Sequence, residues 1–371
     1  MKRILFDHQI FRKQNFGGIS KYFTELMKGV GKESEYKVLP KKFFSKNVHL
    51  SESQLTRFSK LNKLKKFPGK GRLERAIEKE EELRTIDILK NGRFDIFQPT
   101  YYNPYFLKHL PADKPFVLTV YDMIHENYFD KVMETLSAES EWKASLIPRA
   151  DHIIAISHHT KKEILYHFPA VDEAKISVVH LAATGYTTEA IKMQGLPQQY
   201  ILFVGVRKYY KNFQWLAETL NEYLKKSNIT LLCAGSGDFD AYERNVLGRI
   251  DALSHVKYIP VKGDNEMAAL YQNALCFIFP SLEEGFGIPV LEGFINKCPV
   301  ILSNASCFPE VGGDAALYFE PGNRDDLVEK VSQIVNNKAL REELIEKGTE
   351  RLKIFNWKST VEQHLKVYER F

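Results

Sequence analysis

The densest chemical signal in the chain is the run Pro280-Ser281-Leu282-Glu283-Glu284-Gly285-Phe286-Gly287-Ile288-Pro289-Val290-Leu291-Glu292, which follows an apolar segment. Pro289 suits a first helical turn, because its fixed φ is already helical and its missing N–H has no partner there. Gly285 and Gly287 let backbone approach a ligand, and the N–H groups of a helix start attract an anion, most naturally phosphate. Two acids beside a phosphate site make sense if they accept from sugar or ribose hydroxyls. They are equally readable as a solvated loop acid (Glu284) and a helix-start acid (Glu292) favoured by the dipole.

A second constellation is Phe203-Val204-Gly205-Val206-Arg207-Lys208-Tyr209-Tyr210-Lys211-Asn212. Arg207 and Lys211 stand four apart around a turn, where two cations could neutralise a departing diphosphate. Exposed loop cations are the plain alternative. Asn15-Phe16-Gly17-Gly18-Ile19-Ser20 offers a Gly-Gly approach to a ligand, or only a tight turn, with Ser20 as helix cap. Tyr121-Asp122-Met123-Ile124-His125-Glu126 clusters polar groups at a strand end, where His125 could act as base or donor. Ser157 reads as a helix cap. Gly235-Ser236-Gly237 lacks the third glycine of the dinucleotide fingerprint, since Asp240 stands there, and Asp238-Phe239-Asp240 reads as acids opening a helix rather than a metal site.

These segments need elements to hold them. Continuous apolar runs predict buried parallel strands at Arg3–Phe6, Asp95–Gln98, Phe116–Val120, His152–Ile156 and Ile176–His180. A second series follows at Tyr200–Val204, Thr230–Ala234, Val256–Pro260, Leu275–Phe279, Val300–Leu302 and Ala316–Phe319. Helical stretches at Ser20–Lys28, Asn212–Lys225, Asp240–Leu253, Asn265–Asn273, Pro289–Asn296 and Asp325–Asn336 intervene. The expected class is α/β, with two doubly wound domains whose ligands sit beyond the strands' carboxyl ends, in the cleft where the domains face each other. The boundaries are 1–190 for the first domain, with a basic insertion at 37–90 read as irregular or helical, and 191–355 for the second. The break falls at Ala183–Gln199. Residues 356–371 form a closing helix with apolar Val361, Leu365 and Tyr368.

Composition bounds the rest. With 44% hydrophobic and 27% charged residues in 371, the chain buries real cores, which excludes disorder as the main state. The net charge of +5 is uneven: Lys37–Arg75 holds 12 Lys/Arg and two acids, net +10, so the remainder is net −5. The four cysteines show no C-x-x-C spacing and read as buried thiols. Neither a secretory signal nor a membrane span of about 20 apolar residues is visible, which points to a cytoplasmic protein.

The segments FVGVRKYYKN, AGSGDFDAYE, FPSLEEGFGIPVLE and SNASCFPEVGGDAALYFEPGN together resemble the donor-binding domain of the retaining glycosyltransferases of GT-B fold, family four (glycosyl transferases group 1). Gly17-Gly18-Ile19 fits that family's glycine-rich loop. The resemblance implies a GT-B fold with two Rossmann-like domains and a terminal helix crossing back to the N-domain. It implies Arg207 and Lys211 on the donor diphosphate, and Glu284 on the transferred sugar. Phe286, Gly287, Ile288, Pro289 and Val290 would hold sugar and distal phosphate, with Glu292 on the ribose. Gly235, Ser236, Gly237, Val261 and Lys262 would pack the base, and Gly205, Gly17 and Gly18 complete the donor-contacting set. Many members carry His where Tyr121 stands, leaving Asp122 and His125 as candidates for its role. The Tyr-Asp-Met-Ile-His-Glu variant resembles bacterial O-antigen and capsule mannosyltransferases.

The expected activity is retaining transfer of a hexose, mannose favoured, from a nucleotide sugar (GDP-mannose favoured) to a glycan or polyprenyl-linked acceptor, in bacterial surface polysaccharide or lipopolysaccharide synthesis. No metal or other cofactor is implied. A nucleotide-sugar epimerase shares the architecture and is the competing enzyme reading. Nucleic-acid binding through the basic stretch finds no motif and few aromatic residues. The basic stretch instead points to peripheral contact with an anionic membrane, through Lys41, Lys42, Lys63, Lys65 and Lys66, at the inner face of the plasma membrane.

Overall fold

The computed structural model describes residues 1–56, 70–129, 137–182, 193–207 and 209–371. It forms two compact units, residues 1–181 with 357–371, and 182–356. Of the boundary expected at Ala183–Gln199, residues 183–192 lie outside the described residues, as do Lys63, Lys65 and Lys66.

In unit 1, β1 (Lys2–Phe6) lies between β2 (Tyr36–Leu39) and β3 (Ile96–Gln98), and β4 (Val117–Val120), β5 (His152–Ala155) and β6 (Ile176–Val178) pair in that order. All pairings are parallel, and a parallel bridge Phe97↔Phe116 links the two groups. Strand order therefore reverses between β1 and β3. The apolar runs are there because every residue of β3, β4 and β5 is buried. β2 was not legible as a strand: its half-exposed Tyr-Lys-Val-Leu is an edge strand with no buried run. The helices used below are α1 (Gln9–Lys13), α2 (Gly18–Val30), α3 (Val48–Glu52), α4 (Lys70–Asn91), α5 (Ala138–Leu146) and α6 (His158–His167).

Unit 2 carries one parallel sheet of six strands in the order β12-β11-β10-β7-β8-β9. These are β7 (Tyr200–Val204), β8 (Thr230–Ala234), β9 (Val256–Tyr258), β10 (Cys276–Phe279), β11 (Val300–Ser303) and β12 (Ala316–Phe319). Its helices are α7 (Phe213–Ser227), α8 (Ala241–Arg249), α9 (Asp264–Asn273), α10 (Ile288–Ile295), α11 (Phe308–Gly312), α12 (Arg324–Asn336) and α13 (Lys338–Arg351). Leu216 and Leu220 of α7 and Leu327 of α12 pack with Phe203, Leu231 and Ile278 of the sheet. Strand order reverses between β7 and β10, the place in such a sheet where ligands bind.

The last helix, α14 (Trp357–Tyr368), belongs to unit 1. Val361, His364 and Tyr368 are buried. Tyr22 of α2 donates from its hydroxyl to His364 Nε2 (2.6 Å), while Nδ1 donates to Thr360 O (2.7 Å), so a neutral imidazole satisfies both partners. No helix among the described residues is long and apolar enough to cross a membrane.

Candidate active site

At the carboxyl end of β7 the chain makes a short turn, Tyr209–Lys211, and at the end of β10 it enters the loop before α10. The two loops are tied by a backbone bond from Leu282 N to Tyr210 O (2.8 Å). That bond sets Lys211 Nζ against Glu284 Oε1 at 2.5 Å, with only 14% and 11% of the two side chains exposed. Lys211 also lies 5.1 Å from the Phe279 ring centroid. The structure thus brings Lys211 and Glu284 together at the reversal point, 73 residues apart in sequence.

Gly287 sits at φ 81°, where a Cβ would come to 3.0 Å from the Phe308 ring. Glycine there lets the chain turn sharply into α10. Of the first-turn amides, Pro289 has none and Val290 N–H returns to Gly287 O (2.9 Å), so neither offers a donor to the anion expected at this helix start. Phe286 is buried against Phe355. One helical turn in, Glu292 accepts from Tyr271 OH (3.2 Å), which fixes its carboxylate. Cys307 is close by, but burial, with the Glu284 charge beside it, pushes its thiol well above the ordinary range. All four cysteines are buried and free.

Arg207 does not join Lys211. Its guanidinium turns into unit 2, where Nε and Nη2 donate to Glu243 (3.0 and 3.1 Å) and Nη2 also to Gly237 O (2.7 Å). The side chain is 2% exposed and stacks on Phe239, 4.8 Å from the ring centroid. The cause is local: Asp240 caps α8 and Glu243 closes its capping box, presenting a bidentate carboxylate that a guanidinium fits better than an ammonium. The two cations therefore do not share a partner in the structure: Lys211 faces Glu284, while Arg207 fastens the β8–α8 loop. Gly235 and Ser236 open that loop. Gly235, at φ 86°, would bring a Cβ to 3.2 Å from Gly205 N, so the two glycines allow two backbones to touch. Val261 and Lys262 lead into α9, with Lys262 N donating to Glu266 (2.6 Å).

Within unit 1, Gly17 is the N-cap residue of α2 and Gly18 its first residue. Ser20 lies inside the helix rather than capping it; the Gln14 side chain accepts from Ser20 N (3.1 Å) in the cap's place. A Cβ on Gly17 would run into that Gln14 side chain. Asp122 turns its carboxylate onto Ile124 N (3.1 Å), and His125 opens the turn His125–Phe129. Lys143 of α5, 1% exposed, braces this segment by donating to Asp122 O (3.0 Å) and Glu126 (2.6 Å). Ser157 caps α6 as expected. Glu243, Tyr271 and Lys143 were missed by sequence reasoning. The Asp240-x-x-Glu243 spacing could have exposed the first; nothing local marks the other two.

The description "Glycosyltransferase Family 4" matches residues 16–182, and "Glycosyl transferases group 1" matches residues 188–351. Among curated proteins, the chain is 26% identical over 232 residues to O-antigen chain mannosyltransferase B of Escherichia coli, covering 58% of this chain and 60% of that protein. It is 26% identical over 212 residues to O-antigen chain mannosyltransferase RfbU of Salmonella typhimurium, covering 57% and 58%. The alignments thus span under two thirds of these relatives. Among solved structures, sucrose-phosphate synthase from Thermosynechococcus elongatus superposes with a TM-score of 0.69 at 18% identity, covering 100% of this chain and 99% of that one. Anabaena HepE in complex with UDP gives 0.69 at 13% identity, covering 100% of both. With both halves matched by family models and a GT-B architecture around the Lys211–Glu284 pair, the chain belongs to the group 1, family 4 glycosyltransferases.

Proposed function

We propose that the chain transfers a hexose, mannose favoured, from a nucleotide sugar to a glycan or polyprenyl-linked acceptor, with retention of anomeric configuration. The observation that carries this reading is the Lys211–Glu284 pair at the β7/β10 reversal. An ammonium has three protons; with one on Glu284, others remain for the oxygens of a departing diphosphate. Glu284, an acceptor, suits a sugar hydroxyl, and Glu292, held by Tyr271, suits a ribose. The β8–α8 loop clamped by Arg207 would carry the base. Asp122 and His125 are the candidates on unit 1 for contact with the sugar. Two relatives named as O-antigen mannosyltransferases favour mannose and surface polysaccharide synthesis, and a structural relative in complex with UDP favours a nucleoside diphosphate donor. GDP-mannose is the donor we favour.

The test is product analysis. GDP-mannose with a polyprenyl-diphosphate oligosaccharide is expected to give an α-mannosylated product by NMR and one GDP per transfer. A new nucleotide sugar formed without acceptor would overturn the reading in favour of epimerisation. Exposed Lys41 and Lys42 follow β2 in the basic stretch, and we infer that this stretch draws the enzyme to anionic lipid, each cation adding about 1 kcal/mol near the surface. Co-sedimentation with phosphatidylglycerol vesicles should fall as salt rises; binding indifferent to lipid charge would refute it.

A further inference from the structure

The carboxyl end of β1, at the strand-order reversal of unit 1, holds a polar cluster that the donor reading leaves unused. Asp7 is fully buried there. Its carboxylate accepts from Gln9 Nε2 (2.7 Å), Thr100 N (2.9 Å), Thr100 Oγ1 (2.6 Å) and Tyr105 OH (3.2 Å). A carboxylate has about four lone-pair sites, so this one is spent on the protein itself. It pins the start of α1 against the loop after β3, and the next residue, His8, stands on that fixed backbone.

His8 is 7% exposed, and its ring packs beside the partly exposed Tyr105, with centroids 5.5 Å apart. Nδ1 lies 3.3 Å from Thr85 Oγ1 of α4. The Thr85 hydroxyl has one proton, which goes to Glu81 O (2.9 Å). Thr85 therefore accepts, and His8 Nδ1 carries the single ring proton of a neutral imidazole. Burial favours that neutral form and holds the ring's pKa below its ordinary value. Nε2 is left with a bare lone pair. It has no hydrogen-bond partner among the described residues, and it is not sealed from solvent.

An open lone pair selects a ligand that brings a hydrogen-bond donor. The charged groups around the ring are Asp7, Glu82 and Arg12. Asp7 is filled, and Glu82 is paired with Arg12 (3.2 Å), so no net charge calls for an ionic ligand. The Tyr105 ring adds an aromatic face suited to C–H groups. A pyranose hydroxyl, on a ring with C–H faces, matches both features.

We propose that His8 binds the glycan acceptor, with Nε2 accepting a hydrogen bond from a hydroxyl of the acceptor sugar. The proposal deepens the transferase reading and rests on it for the class of ligand, but it stands on none of the donor residues.

The test is long-range proton–nitrogen NMR of the His8 ring in the full chain at neutral pH, before and during titration with α-mannotriose. Expected are a protonated Nδ1, a bare Nε2, and an Nε2 signal that moves to saturation as trisaccharide is added. This measurement on wild type does not depend on any variant folding. His8→Asn keeps a donor for Thr85 but puts no acceptor at the Nε2 position. It should weaken trisaccharide binding about fivefold, as for loss of one neutral hydrogen bond. His8→Gln, whose amide oxygen reaches that position, should keep most of the affinity. A proton on Nε2, an Nε2 signal indifferent to trisaccharide, or equal affinity in wild type and a folded His8→Asn would each overturn the proposal. A thermal-shift titration of the same samples with GDP-mannose reports the donor reading separately. That shift with a silent Nε2 would sink this proposal alone; a responsive Nε2 without the shift would count against the donor reading alone.

Discussion

Arg207 and Lys211 stand four residues apart, yet serve different partners. Which way an arginine turns depends on a carboxylate 36 residues further on, at Glu243, so its clamp role was not legible from the β7 loop alone. The Glu284 and Glu292 spacing was legible, because both acids belong to one loop-to-helix run. The Arg207 account makes a residue-scale prediction. Arg207→Met leaves Glu243, itself 9% exposed, without its cation and frees the Gly237 carbonyl. Stability should fall by about 3–5 kcal/mol, the usual cost of breaking a buried pair from one side, read by urea denaturation. Lost nucleotide binding at unchanged stability would instead return Arg207 to the diphosphate. Lys211→Met should cost far more in turnover than in stability, on the order of 10²–10³ in kcat.

At the scale of elements, the apolar strand runs were readable because parallel strands are buried on both faces. Edge strand β2 and helix α13 were not. The first has no buried run, and the second is mostly polar, with few buried residues among them Leu344 and Gly348. Ser20 shows the same limit at a helix start: its type fits a cap, but Gln14 reaches the amide first. The closing helix was legible from its apolar spacing, and its seat depends on Gly29 of α2, where a Cβ would collide with Val361 of α14. Gly29→Ala should therefore loosen α14 and destabilise the chain by about 1–3 kcal/mol, as overpacking does. Hydrogen exchange of the α14 amides would show it; unchanged protection would contradict this packing account.

At the scale of the whole molecule, His364 links stability to pH. Burial lowers its pKa from 6.5 to about 4, so between those values the unfolded chain binds more protons than the folded one. Its contribution is complete above about pH 6.5 and is lost as pH falls toward 4, up to about 3 kcal/mol. Denaturation midpoints across that window should drop, and His364→Asn should flatten the drop. Two doubly wound domains of parallel strands were legible from sequence; the strand order and the partners that lock individual side chains were not, because both depend on distant strands and helices. The central claim is that Lys211 at the unit 2 reversal holds the donor diphosphate. It is tested most directly by thermal-shift titration of wild type and Lys211→Met with GDP-, UDP-, ADP- and dTDP-sugars. One nucleotide sugar at 100 times its Kd should stabilise wild type by about 2.7 kcal/mol and leave Lys211→Met unshifted. No shift of wild type with any of the four, or an equal shift in both proteins, would contradict it.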